Sequence, residues 1–120
     1  MTQGSHHRFA FALTAGLSLA VFSARAGEIK QVDVSTGATG TRAEIQLAGS
    51  GGFKTLSLAN PNRLVVDFPA SSAKSGLKLP AAAGLVTSVR TGQPVPGTFR
   101  VVFELATPVT ALKPQMQTLG

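Results

Sequence analysis

Apolar and polar residues alternate with a period of two in three stretches that each open on arginine: Arg42-Ala43-Glu44-Ile45-Gln46-Leu47, Arg63-Leu64-Val65-Val66-Asp67-Phe68 and Arg100-Val101-Val102-Phe103-Glu104-Leu105. Alternate side chains of a pleated strand leave on opposite faces, so Ala43, Ile45 and Leu47 share one face, as do Leu64, Val66 and Phe68. Asn60-Pro61-Asn62 reverses the chain ahead of the second stretch, because proline presets a turn φ and asparagine tolerates turn dihedrals. Pro69 ends that strand, having no N–H for a ladder. Weaker versions of the pattern predict strands over 28–35, 53–58 and 85–90, and the third arginine stretch extends back to Thr98. Gly49-Ser50-Gly51-Gly52 and residues 91–97 read as connecting turns. Residues 70–84 read as a crossing loop between sheets, with room for a short strand at Leu77-Lys78-Leu79, and residues 109–112 could begin another strand.

No long apolar stripe of period 3.6 occurs, so the expected fold is all-β: a small β-sandwich of two short antiparallel sheets, with a barrel as the alternative. The chain ends without an evident closing strand, which suggests a domain whose last strand is missing. A sheet edge left unpaired in this way invites association.

The front of the chain changes this picture. A short basic region up to Arg8, an apolar run from Phe9 to Phe22 and the small-x-small site Ala24-Arg25-Ala26 read as a secretory signal peptide over 1–26, helical, with cleavage between Ala26 and Gly27. The run is shorter than the roughly 20 residues a membrane-spanning helix needs, so no stable span is expected after cleavage. A single arginine precedes it, which favours general Sec-type export to the periplasm over a twin-arginine route. Removing 1–26 takes Arg8, Arg25 and both histidines, leaving nine basic residues against five acids, or +4, on one small domain over 27–120. There are no cysteines. The domain is therefore held by its core alone, without disulfides.

Chemistry is mostly missing. Residues 27–120 contain no His, Cys or Tyr, which argues against a catalytic triad or a zinc site in this chain, and no cofactor is expected. Paired carboxylates could still act as acid and base, but Glu44, Asp67 and Glu104 hold equivalent places in three strands, where the plain reading is a charge partner for arginine across the sheet. The glycine-rich loop at 49–52 lacks the lysine and following helix of a phosphate-binding loop. Export, dispersed basic residues and the lack of interleaved aromatics argue against nucleic acid. A basic sheet face could instead attract the carboxylates of peptidoglycan, in a salt-dependent way, although +4 also serves solubility. Without Trp or Tyr, sugar stacking is not the mechanism.

The strand Asn60-Pro61-Asn62-Arg63-Leu64-Val65-Val66-Asp67-Phe68-Pro69, the segment Val89-Arg90-Thr91-Gly92-Gln93 and the strand Arg100-Val101-Val102-Phe103-Glu104-Leu105 occur in the order of an "NPxRLVIDLPG", "VRxGQ", "RVVFDL" series. In this the chain resembles the AMIN domain, with Phe68 where Leu is usual and Ala70 where Gly is usual. The resemblance implies a non-catalytic, peptidoglycan-binding and targeting module of the periplasm. Such modules precede the zinc-dependent catalytic domain of N-acetylmuramoyl-L-alanine amidases that separate daughter cells; the alternative parent is a type IV pilus secretin, acting through protein contacts at the outer membrane. Zinc is then expected only in a catalytic domain outside this chain. Besides peptidoglycan, divisome or outer-membrane proteins are the implied partners. Carried over by position, Asn60, Pro61, Asp67 and Gly92 are structural motif residues, with turn geometry the simple account of Asn60, Pro61 and Gly92. Arg63, Arg90, Gln93 and Arg100 are the candidate wall contacts, the three arginines expected to face outward; their place in the motif could equally reflect folding.

Overall fold

The computed structural model describes residues 6–13, 27–38, 40–49, 52–109 and 115–119. The strands are β1 His6–Leu13, β2 Gly27–Gly37, β3 Gly40–Gly49, β4 Lys54–Leu58, β5 Arg63–Phe68, β6 Ser71–Ala73, β7 Val86–Gly92, β8 Phe99–Leu105 and β9 Gln115–Leu119. They form two sheets, of order β6-β2-β3-β1-β9 and β4-β5-β8-β7. The fold is the expected all-β one. Alternation decides which side of each strand is buried: Ala43, Ile45 and Leu47 of β3 meet Leu64, Val66 and Phe68 of β5 in one apolar cluster, all nearly inaccessible. Phe53 closes that cluster near Phe68, their ring centroids 6.1 Å apart.

Several elements depart from the sequence reading. The second sheet is antiparallel throughout, but β6 adds to β2 in parallel. The short strand in the crossing loop is Ser71–Ala73 and not Leu77-Lys78-Leu79; main-chain bonds recruit it, with Gly27 N–H donating to Ala70 O at 3.1 Å and Lys74 N–H to Ile29 O at 2.9 Å. Leu77 instead packs against the core as part of an irregular segment. Where no closing strand was expected, β9 pairs with β1. Of the helix expected over 1–26, residues 1–5 and 14–26 lie outside the described residues, while His6–Leu13 form a strand against β3. Phe9, Phe11 and Leu13 alternate with alanines, so the sequence fits a period of two, and the β3 edge offers main-chain groups that need partners. Val109 packs on the core without strand structure, and 110–112 lie outside the described residues.

Ala70 takes a left-handed φ of 50° just after β5. That conformation costs an alanine about 1–2 kcal/mol, against about 0.4–1 kcal/mol of extra unfolded-state entropy for glycine. Ala70→Gly is therefore expected to stabilise the domain by about 0.5 kcal/mol and raise its melting temperature by about 3 °C. Thermal denaturation followed by circular dichroism checks this; a lower melting temperature contradicts it.

Candidate functional site

The register of the second sheet determines what its outer face carries. Leu64, Val66 and Phe68 point inward on β5, as do Val101 and Phe103 on β8, so their neighbours point out. Three rows result. Lys54, Asp67, Arg100 and Gly92 lie in one; Leu56, Val65, Val102 and Arg90 in the next; Leu58, Arg63, Glu104 and Ser88 in the third. Arg63, Arg90 and Arg100, separate in sequence, thus share one surface. The structure places them outward as expected. Gln93 is exposed directly after β7, following Gly92, which ends the row that holds Arg100.

The three guanidinium groups are not equivalent. Arg100 grips Asp67 with two bonds, Nε to Oδ1 at 2.7 Å and Nη2 to Oδ2 at 2.9 Å. This bidentate bond, helped by Asp67's charge and opposed by partial burial, raises the Arg100 pKa above its ordinary value. Glu104 takes Arg90 Nη2 at 2.6 Å and Ser88 Oγ at 2.9 Å. Arg63 lies opposite Glu104 in register but donates Nε to Pro61 O at 3.1 Å, and has no carboxylate partner among the described residues. Arg63 therefore keeps the most unused donor capacity for a ligand. Asp67 and Glu104 are the cross-strand arginine partners the sequence suggested, whereas Glu44 bonds Arg42 of its own strand at 2.9 Å.

Between the charged rows runs an apolar one. Val65 is only 3% exposed although it faces away from the core, because Leu56 and Val102 flank it. Leu56, 52% exposed, continues this row to the sheet edge. At the Arg63 end, a cleft of about 190 Å³ is lined by Leu58, Asn62, Arg63, Leu105 and Pro108. The sequence reading missed this stripe, though the run Leu64-Val65-Val66 breaks strict alternation and marks a strand covered on both faces.

The motif residues divide. Asn60 occupies a left-handed φ of 59° in the β4–β5 turn, where its peptide bond to Pro61 is cis. Turn geometry accounts for both. Gly92 does not need to be glycine on the same ground: it ends β7, and a Cβ there would meet nothing within 4 Å. At the expected cleavage point, Ala26 lies outside the described residues and Gly27 is the first residue of β2.

Among the described residues no three His, Cys, Asp or Glu side chains gather to hold a metal, and no helix is long and apolar enough to cross a membrane. A two-sheet sandwich that presents cations and an apolar stripe on one outer face has the surface of a binding module. The AMIN domain family model matches residues 31–119, and the chain belongs to that family. AMIN domains are non-catalytic peptidoglycan-binding and targeting domains of amidases and secretins, and occur in periplasmic proteins. Neither a curated protein nor a solved structure matches the chain.

Proposed function

We propose that this chain is the wall-targeting module of a periplasmic N-acetylmuramoyl-L-alanine amidase that acts in cell separation, exported by a Sec-type signal peptide whose cleavage after Ala26 removes β1 and leaves residues 27–120 as the mature domain. The zinc and the hydrolytic chemistry belong to a domain outside this chain. The module's contribution is to hold that domain at its substrate, since tethering raises local concentration without new chemistry. The observation that carries the reading is the convergence of Arg63, Arg90 and Arg100 on one face whose four cations, with Lys54, outnumber the carboxylates of Asp67 and Glu104. A secretin parent is the second reading, favoured by the exposed Leu56 and Leu58 on the edge strand β4, which suit a protein partner.

Co-sedimentation of the exported chain with isolated peptidoglycan tests the first reading. Pelleting is expected to fall between low salt and about 0.3 M, as exposed charges become screened. Arg63→Ala combined with Arg90→Gln is expected to weaken it about fivefold at an unchanged melting temperature, each exposed contact being worth about 0.2–1 kcal/mol. Undiminished pelleting of that variant would sink the arginine face.

A further inference from the structure

A cleft of about 410 Å³, outside the arginine face, lies between β2 and residues 74–80. Its origin is topological. β6 pairs with β2 only over Gly27–Ile29, after which Lys74 N–H donates to Ile29 O and the chain bends off through a turn in which Leu77 N–H donates to Lys74 O at 3.1 Å. Beyond Ile29, β2 runs on to Gly37 with β3 on one side and, among the described residues, no strand on the other. Residues 30–33 of that open edge line the cleft. A register shift between Ile29 and Gln31 sits at its entrance, the kind of irregularity that re-aims side chains beside a site.

The lining is cationic. Lys30, Lys74 and Lys78 face a single carboxylate, Asp33. Asp33 accepts a bond from Gln31 Nε2 at 2.6 Å, and Lys30 is held by Glu28 at 2.8 Å. Lys74 and Lys78 are exposed and have no carboxylate in salt-bridge reach among the described residues. Leu79 and Pro80 add an apolar wall. Open ladder groups, two uncommitted ammonium groups and an apolar wall are together what a short extended peptide with carboxylates requires. The strand edge supplies main-chain hydrogen bonds and the lysines supply charge-assisted ones.

We propose that this cleft binds the carboxylate-bearing stem peptide of peptidoglycan, laid along β2 in line with β6 and with its carboxylates at Lys74 and Lys78. Only the choice of peptide source rests on the wall-targeting reading. The cleft then reads the peptide part of the wall while the arginine face lies on another sheet.

Fluorescence anisotropy on the exported chain tests this, with soluble labelled stem peptide released from the wall, the same peptide with its carboxylates amidated, and an acidic protein-derived peptide of equal charge. Lys74→Gln with Lys78→Gln, both exposed and checked for folding by circular dichroism, is expected to weaken stem-peptide binding about tenfold. Amidation should weaken it similarly. Equal binding by the lysine variant, or of the amidated peptide, overturns the site. An acidic protein peptide bound as tightly as the stem overturns the wall as its source and assigns the cleft to a protein partner. The two readings fail separately: walls that pellet without stem-peptide binding remove the cleft proposal alone, and lysine-dependent peptide binding without pelleting supports the cleft and removes the targeting reading.

Discussion

Phe68→Ala is expected to cost about 4 kcal/mol, within the range of about 3–5 kcal/mol for phenylalanine truncated in a core. Phe68 is 0% exposed, among the largest fully buried side chains, and its ring lies beside Phe53. It also ends β5, opposite Phe99 of β8, so the cavity would open where both meet the core. A domain of this size holds about 5–14 kcal/mol in total, and no disulfide supplements it. The variant's urea midpoint should therefore fall by about 30–80% of the parent value, since the midpoint scales with total stability. Phe68→Leu, which keeps most of the volume and restores the residue usual in the AMIN pattern, should cost no more than about 1.5 kcal/mol. Equal losses for the two would mean that the site does not behave as a packed core.

That burial was legible in the sequence because it follows from alternation alone. Leu64, Val66 and Phe68 are separated by residues that must face the other way, and the same logic aligned Arg63, Arg90 and Arg100 on an outer face once the strands paired. What alternation does not encode is pairing partnership. Ser71-Ser72-Ala73 has no apolar pattern, and becomes β6 only because the start of β2 offers main-chain bonds. For the same reason the parallel pairing, the open β2 edge and the lysine cleft were not visible before the topology. Val65 and Gly92 mark a second limit, since coverage on the outer face depends on which side chains stand across the ladder. The division of the arginines is a third: Asp67 and Glu104 could each have taken a different guanidinium, and the strand stagger selects Arg100 and Arg90.

One junction between the two sheets is a turn whose role the sequence pattern does not show. Ala83 and Val86 exchange main-chain bonds at 3.0 Å each way, and Gly84 between them takes a left-handed φ of 55°. The turn leads into β7 of one sheet but rests on Thr36 and Thr41, a pair near the end of the β2–β3 hairpin in the other. Thr41, 3% exposed, accepts a bond from Leu85 N–H on its Oγ1 at 2.9 Å, and Leu85 O accepts from Ala106 N–H at 2.9 Å. A Cβ at position 84 would stand 2.1 Å from Thr41 Oγ1 and 2.6 Å from Thr36 Cγ2. Gly84→Ala therefore combines left-handed strain of about 1–2 kcal/mol with displacement of a hydroxyl whose loss leaves a main-chain N–H unpaired, a further cost of about 1–3 kcal/mol. The expected total is about 3 kcal/mol in urea denaturation. Thr41→Ala already removes the hydroxyl and the bond, so Gly84→Ala should cost distinctly less in that background, the double variant falling short of additivity by about 1 kcal/mol or more. A fully additive pair, or a single Gly84→Ala loss below about 1 kcal/mol, would show that this turn does not join the sheets through Thr41.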